Sequence, residues 1–212
     1  MKHLIIFLFN NRNMKLYEIF YREIATDYLS GRNSFTQREL SNRLGISIGN
    51  VNKALKALEA INAVRIAHRS FSIIAIDRLL LYWASHRNLN NDIVYSAFSD
   101  MRISEIEASM PNGIAFTAYT AYKKIYKSTP ADYSEVYAYA TESAINEIER
   151  RFPRKSGAYN IFILKADQVL ARRIKNSVAV APLPSVFVDL WNIRTWYAKE
   201  FTDALSKKLF GD

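Results

Sequence analysis

Ser47, Gly49, Asn50, Asn52, Lys53 and Lys56 are small, amide-bearing or cationic, and they fall within ten residues of one another. A carboxamide presents a donor and an acceptor side by side, and an ammonium supplies a point charge. That combination suits hydrogen bonding to base edges in a major groove and pairing with phosphates. It does not suit covalent or redox chemistry. The chain has no cysteine, which excludes disulfides, thiolate metal sites and a thiol nucleophile. Its three histidines, His3, His68 and His86, lack metal-ligand spacing, and the six glycines form no phosphate-cradling loop.

The polar set must be carried on a helix, and the flanking residues specify one. Thr36 can cap a helix and Glu39, three positions on, can return a bond to it, as in a capping box. Leu40 and Leu44 share a face, and Gly45 supplies a left-handed stop. Ile46 is placed to plug the turn and Ser47 to cap a second helix over 47–60, on which Val51, Leu55 and Leu58 form the buried stripe. Two β-branched runs follow, 64–67 and 71–76, with His68, Arg69 and Ser70 between them. Helix, turn, helix and hairpin over 35–76 form a winged helix-turn-helix pattern. The second helix is then the reading element, with Asn50, Asn52 and Lys53 directed at bases. Thr36, Arg38, Arg43, Ser47 and Lys56 serve as further contacts, and the wing over 65–71 offers Arg65, His68 and Arg69. A solvated hairpin tip is the alternative reading of the wing.

Charge follows this organisation. Of 29 Lys/Arg and 20 Asp/Glu, residues 1–88 hold 13 and 6, a net of +7, whereas residues 89–212 are nearly balanced. An excess concentrated around the reading element favours double-stranded DNA as the partner. Before it, Leu16, Phe20, Ile24 and Tyr28 recur every fourth residue with Tyr17 and Tyr21 alongside, giving an amphipathic helix over 15–30. Its rings read as core or dimer interface in preference to a base-stacking platform. The apolar start at 1–9 is far below the roughly 18 residues that span a bilayer, so an added strand, a helix cap or an arm is expected there, with Met14 as an alternative start. No membrane segment is expected, and a cytoplasmic location follows.

A connecting helix is expected over 77–87, and the polar stretch 88–92 is taken as a boundary between a winged domain, 1–88, and a second domain, 89–212. In the second half, strands are expected at 93–98, 136–140, 159–164 and 178–181. Helices are expected at 102–110, 117–127, 142–151, 183–191 and 193–209, for an α+β chain whose second domain is mixed α/β.

The winged helix, followed by an α/β half containing AFTAYTAY at 115–122 and PLPSVFVDL at 182–190, resembles the AbiE-type abortive-infection antitoxins and related prokaryotic regulators. The resemblance implies an autoregulatory DNA-binding protein, with a degenerate nucleotidyltransferase-like second domain that engages a cognate toxin. A working nucleotidyltransferase would carry Gly-Ser at a helix start and an Asp-x-Asp pair for magnesium. Here Phe116, Thr117 and Ala118 occupy the first position, and Glu135 has no second acid two residues on. The expected function is therefore a dimeric, sequence-specific regulator that needs no cofactor and is not an enzyme. The alternative is a nucleotidyl-transferring or nucleotide-binding enzyme docked by its winged helix. Asp189 is expected to cap a helix or pair with Arg194. Asp132, Glu135 and Asp167 have no spacing that makes them converge, and Arg150, Arg151, Arg154 and Lys155 read as a solvated helix end or a secondary contact.

Overall fold

The computed structural model describes residues 14–211, so the apolar start at 1–9 lies outside the described residues. The first half runs α1 (Leu16–Leu29), α2 (Gln37–Leu44), α3 (Ile48–Ala60), β1 (Val64–Ile66), β2 (Phe71–Ile73) and α4 (Ile76–His86). The local signals act as their chemistry requires. Thr36 Oγ1 accepts the Glu39 N–H at 3.2 Å, while the Glu39 carboxylate turns to Arg32 at 2.6 Å. Gly45 takes φ 67°, a left-handed stop that a Cβ would strain. Ile46 is buried behind it, and Ser47 Oγ accepts the Asn50 N–H at 3.3 Å.

The wing gains a third element that the apolar runs did not announce. Phe35 exchanges both backbone hydrogen bonds with Phe71, at 3.0 and 2.9 Å, and the two rings stack 5.3 Å apart. Asn33 Oδ1 also accepts the Ile73 N–H at 2.9 Å. The second wing strand is shorter than expected because the Ile74 and Ala75 N–H groups both turn to the Ala63 carbonyl, and α4 begins at once.

The second half comprises α5 (Leu89–Asp92), β3 (Ile93–Ala97), α6 (Ile103–Ser109), β4 (Ile114–Thr117), α7 (Ala118–Tyr126), β5 (Val136–Ala140), α8 (Glu142–Arg151), β6 (Ile161–Lys165), α9 (Gln168–Lys175), α10 (Leu183–Asn192) and α11 (Trp196–Phe210). Four strands form a mixed sheet in the order β3-β6-β5-β4, with β5 and β6 parallel and the outer pairings antiparallel. The parallel pair is joined through α8, the connection parallel strands need. Helix α9 was not expected from the sequence. The strand expected at 178–181 is reduced to a bridge between Val180 and Phe116.

Period-two burial on the sheet divides the interior. Val136, Ala138, Ala140, Ile161 and Ile163 pack with Ile106, Ala144 and Ile148 from α6 and α8 on one face. Tyr137, Tyr139, Ala115 and Leu164 face the other way, and there their core is continuous with that of the winged helix through Phe20, Ile24, Trp83, Phe187 and Phe201. The polar stretch at 88–92 accordingly forms no loose connection. It makes the helical turn α5, with Leu89 and Asp92 buried. Helix α1 lies in the middle of this arrangement, with Glu18 through Ala25 buried without interruption, and so serves as a shared wall for both halves.

Candidate nucleic-acid interface

Helix α3 buries Val51, Ala54, Leu55 and Leu58, which fixes its rotation. At about 100° per residue, Gly49, Lys53, Lys56 and Ala60 lie opposite that stripe, and all four are exposed. Asn50 and Asn52 fall on opposite flanks of the outer face, roughly 160° apart around the axis. The two amides expected to read neighbouring bases therefore have different surroundings. Asn52 Nδ2 donates to Gln37 Oε1 of α2 at 3.3 Å, so one of its two N–H donors is engaged within the domain and its orientation is held there. Asn50 is exposed on the far flank, toward α1 and α4, and Lys53 stands between the flank and the centre.

Around this face the cations divide into free and spent. Arg38 on α2, Lys53 and Lys56 on α3, and Arg65 and Arg69 on the wing are exposed and make no ion pair among the described residues. Arg43 is different: its Nη2 lies 2.7 Å from Asp27 Oδ2 of α1, so the residue expected at a phosphate tethers α2 to α1 instead. Arg32 is held by Glu39, whose hydrogen bond and charge raise its pKa while lowering that of the Glu39 carboxyl. Thr36 and Ser47 spend their oxygens as caps, which leaves each hydroxyl hydrogen available. At the wing tip, His68 and Arg69 are exposed over a turn closed by the Ala67 N–H to the Ser70 carbonyl at 2.8 Å.

Asp189, Glu135 and Asp167 of the second half are engaged as well. Asp189 is fully buried and pairs with Arg87 Nε at 2.9 Å in place of the expected Arg194, and it accepts from Thr117 at 2.7 Å and from Tyr139. Glu135 is bonded by Tyr197, and Asp167 receives two bonds from Arg22 of α1, at 2.5 and 2.9 Å. Asp132 is exposed. The basic cluster also has local partners: Arg150 and Arg151 pair with Glu147, Arg154 lies 5.3 Å over the Tyr95 ring, and Lys155 is 4.0 Å from Asp100. Sequence reading missed the partners of Arg22 and Arg87. The only signal for them was charged residues set inside apolar helical stripes, and pairing across 145 and 102 positions has no local signature.

Residues 29–65 match the winged helix-turn-helix DNA-binding family. The match ends within the first wing strand and covers α2, α3 and the turn between them, so it includes the free cations Arg38, Lys53, Lys56 and Arg65 and stops short of Arg69. No curated protein and no solved structure matches the chain. Among the described residues no helix is long and apolar enough to cross a membrane.

Proposed function

We propose that this chain is a sequence-specific DNA-binding transcriptional regulator, with α3 in the major groove and the wing on the flanking backbone. One observation carries the reading. Lys53 and Lys56 on α3 and Arg65 and Arg69 on the wing remain exposed and unpaired on and beside the matched segment, while the neighbouring Arg32 and Arg43 are spent on Glu39 and Asp27. Exposed cations without acidic partners attract phosphate, and a helix with small and amide side chains at its outer face can approach base edges.

One winged helix covers few base pairs, so the working form is a homodimer on two half-sites. The sequence resemblance extends the proposal to an antitoxin-type autorepressor in which the second half engages a toxin, and the protein then acts in the cytoplasm beside its own promoter. Metal-dependent transfer is not proposed, because Asp189 and Glu135 already hold Arg87, Thr117, Tyr139 and Tyr197. Selection of bound duplexes from a random pool tests the reading. An enriched inverted repeat is the expected result, and a pool that stays unenriched at low salt would overturn it.

A further inference from the structure

Beside the DNA-reading face, three helices enclose a groove of about 460 Å³. Each contributes residues at helical spacing: Tyr17 and Tyr21 from α1, Asn50, Lys53 and Ala57 from α3, and Tyr82 and His86 from α4. The volume falls within the range of small-molecule sites, and the lining has their usual composition of apolar walls with few polar groups. Tyr21 and Tyr82 meet edge to face at 6.0 Å, and the Tyr82 and His86 rings lie 4.2 Å apart. The Tyr21 hydroxyl is engaged with the Ala54 carbonyl at 3.4 Å, and its ring contributes to the apolar wall.

We propose that this groove binds a planar aromatic carboxylate, and that the bound molecule weakens DNA binding. Charge selects an anion. Among the described residues no Asp or Glu lines the groove and Lys53 lines it without an ion pair, while the Lys15 ammonium, outside the lining, lies 5.6 Å from the Tyr17 ring. A cation would meet the Lys53 ammonium, whereas an aromatic anion stacks on tyrosine and places its carboxylate at Lys53, with the Asn50 amide as a hydrogen-bond donor. The coupling follows from shared residues, since Asn50 and Lys53 belong to both surfaces. Two ligands that need the same side chains oppose each other reciprocally. This second clause rests on the DNA-binding reading, and the first does not.

The full chain is titrated calorimetrically with 2-naphthoate and 2-naphthamide, first without DNA. Saturable binding of naphthoate, at least tenfold tighter than the amide, is expected. Tyr82→Ala, which removes a wall, and Ala57→Trp, which fills the groove, should each weaken it at least tenfold. Absence of saturable binding, equal binding of the amide, or undiminished binding in both variants would overturn the site. So would a change of oligomeric state in Ala57→Trp with naphthoate binding unaltered, which would assign the groove to a second copy of the chain. With a selected duplex, saturating naphthoate should raise the DNA Kd of the wild type several-fold and leave that of Ala57→Trp unmoved. Naphthoate binding without any change in DNA Kd would overturn the antagonism. Failure to find any duplex would count against the DNA reading while the calorimetry still decides the site.

Discussion

Arg87 donates from Nε to Asp189 at 2.9 Å, joining the end of α4 to the middle of α10 in an environment with no solvent exposure of either side chain. The same guanidinium donates through Nη1 to Glu18 at 2.9 Å and Asp92 at 2.8 Å, and through Nη2 to the Tyr139 hydroxyl at 2.9 Å. Trp83 Nε1 completes Glu18 at 3.0 Å. Burial works against the arginine's charge, but Tyr139 and the three carboxylates hold its pKa well above the ordinary value. Truncating one member of such a network leaves its partners buried and unpaired, which costs about 3–5 kcal/mol. Arg87→Met should lower the unfolding free energy by that amount, read as a lower urea midpoint, and destabilise both halves together, as followed by tryptophan fluorescence and far-UV circular dichroism.

Two carboxyls of these buried clusters titrate in opposite senses. Burial pushes Asp92 up and, with the negative charges of Glu18 and Asp189 added, exceeds the downward pull of Arg87, so its folded pKa is raised. The fold therefore favours its neutral form. That contribution is complete below the unfolded carboxyl range, near about 3.9, and is withdrawn as pH rises through the folded value. Asp167 is also pushed up by burial, yet Arg22 overcomes this and its pKa is lowered. Its contribution is present above the unfolded value and is lost as pH falls through the folded one. Urea titrations across pH should show Asp92→Asn abolishing a decline in stability above pH 4. Asp167→Asn should destabilise at pH 7, with the difference closing in acid.

Gly49 sits at the centre of the outer face of α3, where an added Cβ meets nothing within 4 Å. Its φ is not in the left-handed region, so alanine fits without strain and should stabilise the helix by about 0.5–1 kcal/mol. The glycine is useful only if another surface needs to come close. Gly49→Ala is expected to raise the thermal midpoint and weaken duplex binding, an opposition that fluorescence anisotropy and calorimetry together would detect.

Lys56 and Arg69 are free to neutralise phosphates, each lowering the salt slope of log K by about 0.9 when removed. Lys56→Ala and Arg69→Ala should weaken binding to every sequence alike. Asn52→Ala should alter base preference less than Asn50→Ala, because Asn52 already donates to Gln37. Equal relaxation of preference by both amide variants would refute the assigned rotation of α3.

Local chemistry was legible in the sequence. The Thr36 and Ser47 caps, the Gly45 stop, Ile46 in the turn and the leucine stripes all produced the elements that their types dictate. Most strands and helices of the second half were equally visible as short apolar periods. What stayed hidden depends on distant pairing. The Asn33 and Phe35 contribution to the wing contains no run long enough to read as a strand, and Arg43 could not be removed from the phosphate set without knowing that Asp27 lies 2.7 Å away. The polar residues 88–92 looked like a linker because Asp92 has no use in isolation. Beside Arg87 it becomes interior.

Helix α1 buries eight residues in succession, among them Glu18, Arg22 and Glu23, whose partners Arg87, Asp167 and Arg173 come from α4 and from the second half. A fragment cut after residue 88 would strip Arg22 of Asp167 and Glu23 of Arg173, and would wet a tyrosine- and phenylalanine-rich surface. The reading head is thus not a portable cassette. A shift of the second half would reach α3 through a wall only one helix thick.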